Sequence, residues 1–224
     1  MDLQFLSPID GLSVNTFLAP VLPEAPLDSP SFHFWRRGLV LSVWLLLIMA
    51  GFLTLFLYEF TPGLAGDPPE SWPQNPLISL TPVGKTVIVF AHPQCPCTKA
   101  TFAELADALQ QATVPCQVYL VWLEQPLATS QVNDLVGPDL RQHIPESHHH
   151  WDAYHQALQI FQVRTSGHVL VFNESGDREF SGGITGGRGR LGVNSGKTAL
   201  LSSLTNQSVG RTESQIYGCP LTAG

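Results

Sequence analysis

Gly38 to Tyr58 (GLVLSVWLLLIMAGFLTLFLY) is a run of 21 residues without one charged side chain. It constrains the chain more than any other stretch. In hydrocarbon a segment must satisfy its own backbone N–H and C=O groups, and a helix does so. At about 1.5 Å per residue the run reaches roughly 30 Å, the thickness of the hydrocarbon layer. Arg36 and Arg37 abut its N-terminal end, and no Lys or Arg follows until Lys85. The positive-inside bias then leaves residues 1–37 in the cytoplasm and exports everything after 58. Trp35, Trp44, Tyr58 and Phe60 suit the interfacial belt. A cleaved leader has a shorter apolar stretch nearer the start. The run therefore predicts an uncleaved signal-anchor over 38–58, a single-pass tether for an exported domain.

With 224 residues there is room for one domain of ordinary size plus extra segments. A net charge of −7 argues against nucleic acid as a partner. Four cysteines are too few to build a disulfide scaffold, so an apolar core must carry the fold. Residues 1–37 hold Pro8, Pro20, Pro23, Pro26 and Pro30 without a sustained period and read as an irregular tail. Residues 59–82, rich in Pro, Gly and polar side chains, read as a linker. Beyond 83 the pattern predicts strand 86–91, helix 97–112, strand 117–122 and helix 148–161. Strands 168–173 and 178–182 follow, joined by a turn at 173–177, and then helix 195–206. Residues 125–147 read as irregular, apart from one turn of helix near 130–136. This order implies an α/β domain over 83–206, a mixed sheet with helices on both faces, and a C-terminal tail over 207–224.

The chemistry concentrates where the first strand runs into the first helix of that domain. Thr86 to Ala91 is apolar and β-branched; Phe102, Leu105, Ala106 and Leu109 then recur at helical spacing. Pro96 suits the first helical position. Cys95 therefore falls at the cap, beside unpaired amides and the positive end of the helix dipole, where a thiolate is favoured. Cys95 and Cys97 read as a redox or metal-binding pair. His92, three residues earlier, is placed to lower the pKa of Cys95 or to ligate a shared metal.

This order of elements, with its cysteine motif at the first strand–helix junction, resembles the thioredoxin superfamily over about residues 80–206. The membrane-tethered exported thiol oxidoreductases, like those serving cytochrome c maturation, are similar in layout. Phe90-Ala-His-Pro-Gln-Cys95 is similar to the family's approach to its nucleophilic cysteine, and residues 161–172 resemble the entry to its third core strand. The resemblance implies a thioredoxin-like mixed sheet with flanking helices, preceded by one transmembrane helix. It implies a thiol–disulfide oxidoreductase of the bacterial inner membrane, with a cytoplasmic N-terminus and a periplasmic domain. Cys95 would be the exposed attacking thiol and Cys97 the resolving one. Ser166, Gly167 and Arg188 would border the substrate, exported proteins would supply thiols and disulfides, and another redox protein would recycle the site. No cofactor is expected. The alternative is Cu(I) held by Cys95, Cys97 and His92, since soft thiolates select it.

Two departures stand out. The family's CxxC is shortened to CxC, and residues two apart on a helix do not face each other, so a Cys95–Cys97 bridge needs a distorted first turn. Gly167 falls where the family has a cis-proline that shapes the substrate-binding backbone and keeps metals off the thiols.

Other constellations are weaker. Cys116 reads as a buried structural thiol. Cys219, in the tail, is open to resolving a mixed disulfide with Cys95 or Cys97, or to pairing with Cys116; four cysteines allow three pairings. On the helix expected over 148–161, His148, Asp152 and His155 would share a face, with Trp151, Tyr154, Leu158 and Phe161 toward the core; that arrangement reads as structural. The glycine-rich segment 186–198 is not a nucleotide loop, because Leu191 stands where the phosphate loop requires glycine. It reads as a tight loop before a helix capped by Ser195, bordering the thiols in the thioredoxin layout.

Overall fold

The computed structural model describes residues 30–74, 77–123, 128–144, 148–152, 155–207 and 212–221. The irregular tail expected before residue 30 and the core role of Tyr154 lie outside them. The chain forms two units, Met1–Met49 and Ala50–Gly224. Helix α1 runs from Pro30 to Phe60. Its 27 residues from Phe34 to Phe60 are long and apolar enough to cross a membrane, and large side chains such as Leu46, Phe52 and Leu55 are exposed along it.

The second unit is built on a five-stranded mixed sheet. Strand β1 (Lys85–Ala91) leads into α2 (Pro96–Gln110), β2 (Cys116–Leu123) and α3 (Thr129–Arg141). The edge strand β3 (His149–Asp152), the short α4 (Gln156–Ile160), β4 (His168–Phe172), β5 (Arg178–Gly182) and α5 (Ser195–Leu204) complete it. The strand order is β3-β2-β1-β4-β5. β1 and β2 are parallel, as are β2 and β3, whereas β4 runs antiparallel to both β1 and β5. This is the α/β mixed sheet with flanking helices expected from the order of elements, and its order and polarity agree with the thioredoxin-like reading.

Every residue of β1 is buried, and alternation divides its side chains between two cores. Val87, Val89 and Ala91 pack with Phe102 and Leu105 of α2, Val136 and Leu140 of α3, and Leu200 and Leu204 of α5. Ile88 and Phe90 point the other way, to Leu158 of α4, Phe161 and Phe172. The chain before β1 contributes to that second core. Trp72 packs edge-on against Phe161 and Phe172, at 5.7 and 5.1 Å between ring centres. Gly66 bridges to Val163 and Ser71 to Asp177. The stretch 59–82, expected as a spacer, is thus bound to the domain it precedes.

Three further expectations are corrected. The helix expected over 148–161 begins as strand β3, and its helical part is only Gln156–Ile160. Edge pairing to β2 overrides the helical spacing here: Trp151 stacks on Trp122 at 5.6 Å, and the indole Nε1 of Trp122 donates to His149 Nδ1 at 3.4 Å. His148, Asp152 and His155 therefore share no helical face. Asp152 instead accepts from the amides of Gln156 and Leu158 at 2.7 and 2.9 Å, holding the start of α4. The stretch 125–147 contains α3, broken at Gly137 (φ 75°) before Pro138. Finally, α5 is capped by Asn194, whose side chain accepts from the Lys197 amide at 2.9 Å, with Ser195 as its first residue. The turn at 173–177 forms as expected, Asn173 Oδ1 accepting from the Asp177 amide at 2.8 Å.

Lys197 ties α5 to α2 by reaching Asp107 at 2.5 Å and the buried Glu104. Removing one member of a buried ion pair strands the other charge. Lys197→Met should therefore lower unfolding free energy by about 3 kcal/mol in urea titrations.

Candidate functional site

At the end of β1 the chain turns through His92–Gln94 and enters α2. The Cys95 amide donates to the His92 carbonyl at 3.1 Å, and the Thr98 amide to the Cys95 carbonyl at 3.1 Å. Cys95 is the N-cap residue, extended at φ −79° and ψ 118°, with Pro96 first in the helix. Thr98 Oγ1 donates to the His92 carbonyl at 2.9 Å, and Ser166 Oγ accepts from the His92 amide at 3.0 Å. These bonds lock the turn to the loop before β4. The Gly167 amide completes the junction, donating to the Phe90 carbonyl at 2.8 Å.

None of the four cysteines is disulfide-bonded. Three of them meet. The side chains of Cys97 and Cys219 both interact with the Cys95 sulfur. Cys219 arrives on the C-terminal segment, whose backbone runs against the loop before β4. The Ser166 amide donates to the Cys219 carbonyl and the Leu221 amide to the Arg164 carbonyl, each at 2.9 Å. Thr165 and Pro220 form an antiparallel bridge. Gly218 makes this approach possible, because a Cβ there would lie 1.9 Å from the Ser166 carbonyl oxygen. Arg188 donates to the Gly218 carbonyl at 2.5 Å and to the Tyr58 carbonyl at 3.1 Å, with its guanidinium 4.7 Å from the Tyr58 ring centre. Cys116 is excluded from this group: it pairs with Lys85 at the opposite end of β1, about 20 Å away at the usual strand rise. Of the pairings open to Cys219, the one with Cys116 is thereby removed.

Two sequence expectations change here. Cys95, expected to be exposed, is 2% exposed, and Cys97 is 5%; Cys219 and the segment carrying it lie against Cys95. Gly167 has φ +85°, and a Cβ would come 2.9 Å from Thr101 Oγ1. Proline, fixed near −65°, could not take this conformation, so the backbone here differs from the one the family's proline would impose. The segment 212–221 is what the sequence reading placed least well. Its signal was Gly218-Cys219-Pro220, a glycine for close approach beside a thiol and a residue without an amide.

The electrostatics are lopsided. Hydrogen bonding from Cys97 lowers the Cys95 pKa most, and Cys219 adds to it against the opposing effect of burial, taking it from 9.0 to about 4. Cys97 is pushed strongly upward, first by that same bond to Cys95 and then by burial. Burial and then Cys95 push Cys219 up to about 11, while Arg188 favours its thiolate. At neutral pH the group is one thiolate held by two thiols. Cys116 is raised to about 11 by burial and its thiol donates to the Val114 carbonyl at 3.3 Å, in keeping with a structural role. His92 Nδ1 accepts from the Gln94 amide at 3.2 Å. Among the described residues no group of three or more His, Cys, Asp or Glu is arranged to hold a metal ion.

No family model matches the chain, and no curated protein matches it. Some solved structures are similar to it. An uncharacterized conserved protein from Geobacillus kaustophilus is similar over 74% of this chain and 93% of its own, at 16% identity and a TM-score of 0.50. A hypothetical protein from Sinorhizobium meliloti 1021 is similar over 71% and 98%, at 14% identity and 0.46. A thioredoxin-like protein in its oxidized form is similar over 67% and 97%, at 17% identity and 0.39. At 16% identity the likeness to the Geobacillus protein is one of fold alone.

A thiolate present only in the folded state links stability to pH. Between about 4 and 9.0 the folded Cys95 is ionised while the unfolded one is protonated, so the unfolded state binds more protons and stability rises with pH. This contribution is complete above 9.0 and lost as pH falls to about 4. Unfolding of the reduced protein followed from about pH 5 to 8 should show wild type gaining about 1.4 kcal/mol per pH unit over Cys95→Ser. Parallel profiles would show that Cys95 is not ionised.

Proposed function

We propose that this protein is a membrane-anchored thiol–disulfide oxidoreductase acting on exported proteins, with Cys95 as its nucleophile. The observation that carries the proposal is the thiolate: Cys95 caps α2 and takes hydrogen bonds from two neighbouring thiols, which hold its pKa at about 4. A thiolate attacks a disulfide sulfur, whereas a thiol does not. The Cys95 thiolate would attack one sulfur of a client disulfide and expel the other as a thiolate, leaving a mixed disulfide. A second thiol of the site would then attack Cys95, release the client reduced, and leave a disulfide within this chain. A separate redox protein would return the site to its starting state.

The anchor reading rests on α1, whose long apolar exposed surface suits a lipid environment, and on Arg36–Arg37 within it, just ahead of the uncharged run, which by the positive-inside bias assign residues 1–37 to the cytoplasm. The thiol domain then works on the opposite, extracytoplasmic side, the periplasm in a bacterium with two membranes, where disulfides persist. Ser166 and Gly167 supply the backbone edge facing the thiols. Arg188 stabilises negative charge on Cys97 and Cys219. His92 shapes the turn that presents Cys95.

Replacing Cys95 with Ser should abolish exchange with a model dithiol substrate; retained exchange would end this assignment. Stabilising the thiolate stabilises the reduced protein, which makes its disulfide oxidising. Equilibrium titration against glutathione should accordingly return a potential well above that of thioredoxin, and a value as low as thioredoxin's would reject the reading.

A further inference from the structure

The C-terminal segment is joined to the domain by backbone bonds on both sides of Cys219. Ile216 accepts from the Gly63 amide at 2.8 Å, Gly218 accepts from Arg188, and residues 219–221 pair with 164–166. These bonds hold the sulfur of Cys219 against that of Cys95 from a strand separate from α2. Cys97 also interacts with Cys95, but it follows by two residues at the start of the same helix, and a Cys95–Cys97 bridge would need that first turn to distort. Cys95 is buried and Cys219 half-buried.

We propose that Cys219 is the resolving thiol, and that residues 212–221 are a hinged arm which opens to admit a client disulfide and closes to resolve it. This deepens the reading above and rests on it. With the arm displaced, the Cys95 thiolate attacks the client and forms the mixed disulfide, and one client thiolate leaves. Cys95 then carries no charge, so its upward pressure on the Cys219 pKa disappears while Arg188 still favours the thiolate. Cys219 loses its proton to the departing client thiolate and attacks the Cys95 sulfur. A Cys95–Cys219 disulfide forms, the mixed disulfide breaks, and the second client sulfur leaves as a thiolate that takes a proton from solvent. Two electrons pass from the Cys95/Cys219 pair to the client disulfide. Cys97 serves as a positioning residue, donating its hydrogen to the Cys95 thiolate.

Full-length protein in detergent, reduced with dithiothreitol and then mixed with oxidised glutathione, tests this by peptide mass spectrometry without reduction. Wild type should yield a Cys95–Cys219 linked peptide. Cys219→Ser should lose resolution and accumulate glutathione on Cys95, whereas Cys97→Ala should still form the Cys95–Cys219 link. Gly218→Val keeps all four cysteines but forces the arm off Ser166, and it should accumulate the same adduct as Cys219→Ser. A Cys95–Cys97 link in wild type, or clearance of the adduct by Cys219→Ser at the wild-type rate, would overturn Cys219 as the resolving thiol. Clearance by Gly218→Val at the wild-type rate would overturn the arm. If Cys219→Ser acquires no glutathione at Cys95 and wild type forms no disulfide, thiol exchange itself fails, a separate result from choosing the wrong resolving thiol.

Discussion

Strand β1 is buried along its whole length and paired on both edges, parallel to β2 and antiparallel to β4. A strand in that position must be apolar on both faces, and Thr86-Val-Ile-Val-Phe-Ala91 meets the demand while the aliphatic stem of Lys85 carries its charge to Glu179. The two cores it separates fix where its last residue lies. The turn after Ala91 and the first amides of α2 are placed in consequence. The N-cap that bears Cys95 is therefore rigid because of packing roughly a strand's length away. The local bonds from Thr98 and Ser166 only close the junction.

The site gains its chemistry from what comes to that junction from elsewhere. A helix N-terminus alone favours a thiolate modestly. Here the decisive contributions are hydrogen bonds from Cys97 and Cys219, and they act against burial, which would have kept the thiol protonated. The same bonds raise the donors' own pKa values, so one ionised sulfur is stabilised at the expense of its neighbours. Removal of the charge from Cys95 by covalent attack reverses that order and frees another sulfur to ionise. In the proposed exchange the charge would pass among these three sulfurs.

Much of the fold was legible because its signals are periodic and local. The β1 run, the face of α2, the turn at 173–177 and the two strands it joins each follow from a few consecutive residues. Strand β3 was not legible. His149-His-Trp-Asp152 has neither alternation nor a β-branched residue, and it is extended because Trp122 and the edge of β2 offer it partners. Helix α3 was obscured by Gly137-Pro138, which break its period. The stretch 59–82 read as a spacer because proline and glycine carry no sign of what they pack against, although Trp72, Ile78 and Leu80 in it join the second core.

From sequence alone came the long apolar helix with its arginines, the strand–helix junction, Cys95 at the cap, and the expectation that thiol chemistry is centred there. All of these depend on neighbours within a turn or two, where spacing and propensity act directly. Tertiary structure decided that Cys95 is enclosed, that Gly167 adopts a backbone closed to proline, that Cys116 sits at the far end of the sheet, and that Cys219 completes the group. Those outcomes depend on backbone pairing between residues more than fifty positions apart, such as Ser166 with Cys219 and Phe90 with Gly167, and no local pattern encodes which distant edge a segment will find.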